Sequence, residues 1–170
     1  QENFRFARKK EMAHLRLWWV RDMLAIQQPA GELLVLFWHN HFVTAYSGLN
    51  EIVHVLAKQH WALRKYGHTN FRVLTRAMIL DAAMLDYLDN NSSRKGNPNE
   101  NLARELMELF VLGEGNYAEK TIKEVARALT GYSVNKMRND EFEFNVWDHD
   151  RGTKTIFDRR GRLALSLRHT

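Results

Sequence analysis

Histidines and carboxylates that could transfer protons or bind a metal ion are concentrated in three short segments of this sequence. The first segment contains His39 and His41, the second spans residues 97–110, and the third spans residues 149–154. Imidazole and carboxylate groups are common proton carriers and common ligands of divalent metals in hydrolytic enzymes. Because the chain has no cysteine, a metal site would depend on His, Asp and Glu.

His39 and His41 flank Asn40 in the strongly apolar segment 31–42. Buried imidazoles need polar partners, and metal ligation is one way to supply them. On a regular helix, residues two apart point about 200° from each other, so one ion cannot easily bind both unless the helix ends there. Each histidine therefore has two alternatives, a hydrogen-bonded structural role or a role as a metal ligand.

Segment 97–110 predicts a short helix with one apolar face and one polar face. Asn97 is the expected N-cap, and Glu100 three residues later would complete a capping box. Glu108 is expected to pair with Arg104 four residues earlier. Glu105 lies at the edge of the apolar face, where a carboxylate needs an Arg, a His or a cation as partner. Glu105 is thus the carboxylate of this segment with the clearest predicted functional role.

His149, Asp150, Gly152 and Lys154 lie within six residues in a predicted turn. Loops often present functional side chains, although Asp and Gly also favour turns for purely structural reasons. We predict that His149, Asp150 and Lys154 belong to the site, with Lys154 or Arg104 holding an anionic group. The sequence has no glycine-rich phosphate loop, no Gly-x-Ser-x-Gly and no His-Glu-x-x-His, so the common catalytic signatures do not define a reaction.

Helical periodicity dominates the elements that must position these residues. Segment 31–42 is apolar around the whole helical wheel, which predicts a helix that is buried on most sides at the centre of the fold. Asn70 is the expected cap of the fourth helix. Helices are predicted at about 5–26, 31–42, 51–66, 70–79, 97–110 and 118–130, with the fourth either continuing or restarting through residues 84–88.

The pattern changes near the end of the chain. Phe142, Phe144 and Val146 alternate with polar residues, as in a half-buried strand. Segment 155–157 lies beyond the 148–152 turn, so we predict a hairpin between these two stretches. The fold class is therefore mainly α, a bundle-like domain of five to six helices with a small C-terminal β-hairpin.

The composition is that of an ordinary globular chain with a basic excess. The formal charge is +5 and the pI about 9.6, but the basic residues are mostly spread out, and the densest groups, 5–10 and 159–162, lie near the chain ends. Nucleic acid is therefore an unlikely partner. No run approaches 18 apolar residues, so no transmembrane segment is predicted.

Five motifs, in this order, resemble one known family, the bacterial domain-of-unknown-function family 1800. The resemblance covers about residues 10–158. The motifs are Leu-Phe-Trp-His-Asn-His-Phe at 36–42, Met-Leu-Asp-Tyr-Leu-Asp-Asn at 84–90, Asn-Glu-Asn-Leu-Ala-Arg-Glu-Leu-Met-Glu-Leu-Phe at 99–110 with Leu-Gly-Glu-Gly at 112–115, Ala-Arg-Ala-Leu-Thr-Gly-Tyr at 126–132, and His149-Asp150 with Gly152 and Lys154.

The resemblance implies no established reaction. Family members are usually longer and often look exported, which implies a truncated member and an exported or periplasmic protein. They are commonly encoded beside a sulfatase-like protein, which implies a partner of that kind. Residues 1–158 are interpreted as a single helical domain, part of a longer family domain, and residues 159–170 as an atypical basic tail.

Two functional hypotheses follow from these residues. In the first, the 39–41 helix end, the 100–108 face and the 149–150 turn converge in a metal-assisted hydrolase for an anionic or extracellular substrate. Its hypothetical ligands of a divalent metal are His39, His41, Glu105 and His149. In the second, the same residues form a buried polar network in a non-catalytic scaffold or partner protein. The sequence does not decide between the two.

Overall fold

The computed structural model describes residues 2–27, 29–49 and 52–162, with side chains from Phe6 onward. The chain divides into two compact units, Gln1–Tyr87 and Leu88–Thr170. Most of the described residues are helical, and two small antiparallel strand pairs lie near the C-terminus. The predicted mainly α class is therefore confirmed. Residues 163–170 of the predicted basic tail lie outside the described part of the chain.

The described residues of the first unit form five α-helices and a short 3₁₀-helix at Tyr46–Leu49. The predicted fourth helix ends before Leu80 and a new helix starts after Asp81, so it restarts and does not continue, and the Asp81 carboxylate accepts a hydrogen bond from the backbone N–H of Met84 at 3.1 Å. The predicted cap of the preceding helix is confirmed, because the Asn70 side chain accepts a hydrogen bond from the N–H of Val73 at 3.0 Å. The helices are α1 (Glu2–Ala25), α2 (Ala30–His41), α3 (Val53–Tyr66), α4 (Phe71–Ile79) and α5 (Ala82–Tyr87).

The core of the first unit lies mainly on α3, α4 and α5. Fully buried side chains on these helices include Leu63, Leu74 and Leu85. The prediction that α2 is buried on most sides is wrong, since Leu33 is 60% exposed and Phe37 is 55% exposed. One face of α2 packs against α3, and its remaining apolar side chains face outward in the described structure.

As far as residue 162, the second unit contains two α-helices, α6 (Asn101–Glu105) and α7 (Glu119–Leu129), which pack against each other. A π-helix continues α6 from Leu106 to Val111, so the predicted single helix changes its winding after Glu105. π-Helical turns are rare and often occur at functional sites.

The predicted capping box of this segment is wrong. Glu100 occupies the N-cap position of α6 without a capping hydrogen bond from its side chain. Asn97 instead forms an isolated antiparallel bridge with Arg94, and the side chain of Asn99 accepts a hydrogen bond from the N–H of Asn101. The helix therefore begins four residues after the predicted cap.

The predicted pairing of the strands is also wrong. Strand β2 (Glu141–Phe144) pairs with β1 (Tyr132–Asn135), whereas β3 (Lys154–Ile156) pairs with β4 (Arg159–Gly161). The two pairs are separate two-stranded sheets. The strand pattern in segment 142–146 was thus recognised, but its partner lies earlier in the chain rather than across the 148–152 turn.

Gly131 allows β1 to pass close to the loop that follows β2. Its φ is +79°, and a Cβ at this position would lie 2.4 Å from the carbonyl oxygen of Asn145 and 3.0 Å from the backbone nitrogen of His149. Only glycine adopts such a backbone conformation without strain and leaves room for the neighbouring chain. The short approach between Gly131 and the 145–149 loop places His149 against the end of α7.

Candidate functional site

The most distinctive polar group in the first unit is a pair of histidines, the partly buried His39 on α2 and the buried His60 on α3. His39 Nε2 and His60 Nδ1 are 3.1 Å apart, and the two rings are nearly parallel. Trp19 of α1 packs against both, with ring centroids 4.9 Å from His39 and 4.7 Å from His60. Burial lowers the pKa of each histidine to about 4, and for His60 the charges of His39 and Arg64 act in the same direction. Both rings are therefore neutral at pH 7.

His41 has a different set of neighbours. Its ring stacks on Phe37 and lies edge-on to Trp38 and Phe42. The helical spacing predicts this difference, because His39 and His41 leave α2 in different directions. The partner of His39 is instead His60, which the sequence reasoning missed. The sequence contained one indication that His60 is buried: it lies four residues after Leu56 and three before Leu63, on the apolar face of α3.

Arg64 links α1, α2 and α3 beside the histidine pair. Its guanidinium binds the carboxylates of Asp22 and Glu32, and its contact with Glu32 measures 2.8 Å. Glu32 also accepts a hydrogen bond from the indole N–H of Trp19 at 2.8 Å. Because Glu32 is only 6% exposed, this guanidinium and indole compensate a carboxylate that would otherwise be costly to bury.

A second buried polar chain runs from the 42–46 segment to the start of α5. Thr44 donates a hydrogen bond to Gln59, and Gln59 donates one to Asp81. Burial raises the pKa of the Asp81 carboxyl to about 7, although the hydrogen bonds from Met84 and Gln59 favour its ionised form. Asp81 is therefore a titratable group that responds to pH near neutrality.

A cavity of about 520 Å³ lies in the first unit, and the histidine pair forms part of its wall. This volume falls within the range of typical small-molecule sites. The lining combines apolar side chains with polar groups, and includes Met12, Leu15, Arg16, Trp18, Trp19, His39, Thr44, Ala45, Tyr46, Ser47, Leu56, Gln59 and His60.

In the second unit, Arg104 is surrounded by three carboxylates. It contacts Glu108 at 3.3 Å, Glu100 at 3.2 Å and Glu119 at 2.6 Å. The predicted pair between Arg104 and Glu108 is confirmed. The contact between Arg104 and Glu119 was not predicted, because Glu119 lies fifteen residues away at the start of α7. Glu105 is partly buried, and its side chain forms no hydrogen bond or ion pair with the residues that the structure describes, so its predicted partner is not among them.

The 149–154 segment is held against the end of α7 by hydrogen bonds. His149 is 8% exposed, and its Nδ1 lies 2.8 Å from the carbonyl oxygen of Thr130. A carbonyl oxygen can only accept, so Nδ1 carries the proton in this contact. The hydroxyl of Thr130 accepts a hydrogen bond from the N–H of Asp150 and donates one to the carbonyl of Arg127. His149 is thus fixed by the backbone.

Arg127 and Lys154 complete the same cluster. Arg127 contacts Asp150 at 2.8 Å and Glu124 at 2.7 Å, and the contact with Arg127 is the main reason that the pKa of Asp150 lies below its usual range. Lys154 is fully buried and donates hydrogen bonds to the carbonyl oxygens of Asp150 and Gly152. Burial lowers the pKa of Lys154. Sequence reasoning missed the roles of Arg127 and Glu124, although their spacing of three residues on α7 is typical of an ion pair.

The predicted metal ligands are distributed over both units. His39 and His41 belong to the first unit, whereas Glu105 and His149 belong to the second. Among the described residues, no group of three or more His, Asp or Glu side chains is arranged to hold an ion. The predicted convergence of these segments stays a prediction, and so does the metal.

The fold and these clusters define a mainly α-helical protein with two small antiparallel strand pairs in its second unit. The chain belongs to the DUF1800 family, described as a protein of unknown function, whose profile matches residues 2–166. This match includes all five sequence motifs and extends beyond Phe157. Comparisons with curated proteins and with solved structures gave no match. Within the described ranges, none of the helices has both the length and the apolar character needed to cross a bilayer.

Proposed function

We propose that this protein is a non-catalytic scaffold whose second unit presents a rigid loop to a partner protein. One observation carries the proposal: the predicted catalytic residues His149, Asp150 and Lys154 all have protein partners that fix the loop on which they lie. A catalytic group must be able to contact substrate with its reactive atom. In this cluster the ionised groups are instead paired with each other or with backbone carbonyls.

The fixed loop exposes a large aromatic side chain. Trp147 is 85% exposed, and its backbone N–H donates a hydrogen bond to the side chain of Asn145, which also donates to Asp148. Tryptophan is enriched among the residues that dominate binding energy at protein interfaces. A rigid loop loses little conformational freedom on binding, so a fixed, exposed Trp147 is well suited to contact a partner. The partner that the family resemblance implies is the sulfatase-like protein.

Binding to that sulfatase-like protein tests the scaffold proposal. Isothermal titration calorimetry with the purified partner is expected to detect a complex, and Trp147→Ala is expected to weaken it about tenfold or more. Met137→Ala is the matched control, since Met137 is 99% exposed on the same unit but lies outside the loop. Absence of a complex, or equal effects of the two substitutions, would contradict the proposal.

Metal-assisted hydrolysis is the second candidate function, and the histidine pair is the observation that favours it. Two neutral imidazoles with nitrogens 3.1 Å apart form part of a cavity wall, and neutral imidazole is the form that binds metals. These two residues alone would leave most coordination positions to water or substrate.

Elemental analysis separates the two candidates. The scaffold proposal expects the purified protein to contain well under one equivalent of Zn, Mn, Fe, Co, Ni or Cu. One equivalent that is lost in both His39→Ala and His60→Ala, but kept in the control His41→Ala, would favour the hydrolase instead. Circular dichroism of each variant shows whether any loss reflects unfolding.

A further inference from the structure

The cavity of the first unit has a charge pattern that the proposed scaffold function does not use. Its lining contains one permanently charged side chain, Arg16, and no Asp or Glu. Arg16 is exposed, and its side chain forms no hydrogen bond or ion pair with the described residues. A guanidinium in this situation is available to a ligand, and it prefers carboxylate or phosphate groups, with which it forms paired hydrogen bonds.

The rest of the wall supplies an apolar surface and neutral hydrogen-bonding groups. Met12, Leu15 and Trp18 lie on α1 beside Arg16, and Leu56 contributes from α3. His39 and Thr44 add polar groups without adding negative charge. Such a wall favours a ligand with an apolar body and a small polar head.

The net charge of the first unit also favours an anionic ligand. Residues 1–87 contain eleven Lys and Arg against seven Asp and Glu. Two of these acidic residues, Asp22 and Glu32, are already paired with Arg64. The first unit thus carries an excess of four positive charges, which favours an anionic over a cationic ligand.

We infer that the cavity binds a small amphipathic carboxylate. Its apolar body would lie against Met12, Leu15 and Trp18, and its carboxylate would bind Arg16. The volume of about 520 Å³ is large enough for a molecule with a two-ring aromatic body. This site is independent of the 145–154 loop, so it can exist whether or not the scaffold proposal is correct.

A matched pair of probes tests the charge preference. Calorimetric titration of the full chain with 2-naphthoate and with the neutral 2-naphthalenemethanol at pH 7 is expected to give at least about tenfold tighter binding of the carboxylate. Arg16→Gln is expected to remove most of this preference while leaving the binding of the alcohol nearly unchanged. The control is Arg21→Gln, an exposed arginine of the same helix that does not line the cavity.

A second substitution tests the location. Leu15→Trp fills space in the cavity and is expected to weaken both probes, with circular dichroism confirming that the variant stays folded. The inference is overturned if the wild type binds both probes equally or neither, if Arg16→Gln behaves like Arg21→Gln, or if a folded Leu15→Trp variant binds as the wild type does.

Discussion

Replacing Arg127 with Met is expected to lower the free energy of unfolding by about 2 kcal/mol. The substitution keeps most of the apolar stem but leaves the carboxylates of Asp150 and Glu124 without their cation. Removing one partner of a mostly buried ion pair costs more than the pair itself contributes, because the remaining charge stays desolvated. The same guanidinium also donates to the carbonyl of Thr153, so the loop loses a further contact.

A double-mutant cycle with Asp150→Asn measures how much of this cost belongs to the pair. Urea unfolding of the wild type, both single variants and the double variant is expected to give a coupling of roughly 1 kcal/mol. Arg104→Met is the matched control, because Arg104 also contacts several carboxylates but lies in a more exposed cluster: its side chain is 37% exposed and that of its nearest partner Glu119 57%, against 28% and 16% for Arg127 and Asp150. Its effect is expected to be much smaller, since water replaces those contacts. Equal effects at positions 127 and 104 would mean that the 149–154 loop is not held by a buried cluster.

Lowering the pH from 7 to about 4.5 is expected to destabilise the protein through His39 and His60. Their folded-state pKa values are about 4, below the ordinary 6.5, so folding favours the neutral rings. This contribution is fully present above pH 6.5 and is lost as the pH falls towards 4. A pKa shift of this size corresponds to roughly 3 kcal/mol of unfolding free energy for the first proton bound. Binding of the second proton is not independent, because the two rings share a hydrogen bond.

Asp81 changes the stability with pH in the opposite direction to the two histidines. It must therefore be replaced before the contribution of the histidines can be measured. Its folded-state pKa is raised to about 7, so its contribution is full below the unfolded value of 3.8 and is lost as the pH rises through 7. Urea unfolding between pH 4.5 and 8 is therefore best measured in an Asp81→Asn background. Adding His39→Gln and His60→Gln in that background is expected to flatten the acid slope. An unchanged slope would show that other groups cause the acid sensitivity.

The sequence predicted the features that depend on neighbouring residues. Helix α2 was predicted at 31–42 and occurs at 30–41, and helix α7 was predicted at 118–130 and occurs at 119–129. The cap at Asn70 and the ion pair between Arg104 and Glu108 were also predicted and are present. Periodicity, capping and contacts between residues four apart act within one or two turns of helix, so the order of residues is enough to reveal them.

Contacts between residues that lie far apart in the sequence could not be predicted from these local patterns. His39 is paired with His60, 21 residues away, and Arg64 with Asp22, 42 residues away. The sequence alone named His41, Glu105 and His149 beside His39 as hypothetical metal ligands but did not name His60, because only the packing of α2 against α3 brings residue 60 close. The strand at 141–144 was similarly assigned to the wrong neighbour, since alternation reveals a strand but not the edge it pairs with.

What the sequence by itself determined is thus the mainly α class, the approximate helices, the family and the polar segments that contain the interesting residues. The tertiary structure decided which of these residues share a cluster. It paired His39 with His60 in a cavity wall and tied His149, Asp150 and Lys154 to the end of α7. The physical reason is that helical periodicity is a local property, whereas burial, ion pairing and pKa depend on which elements pack together.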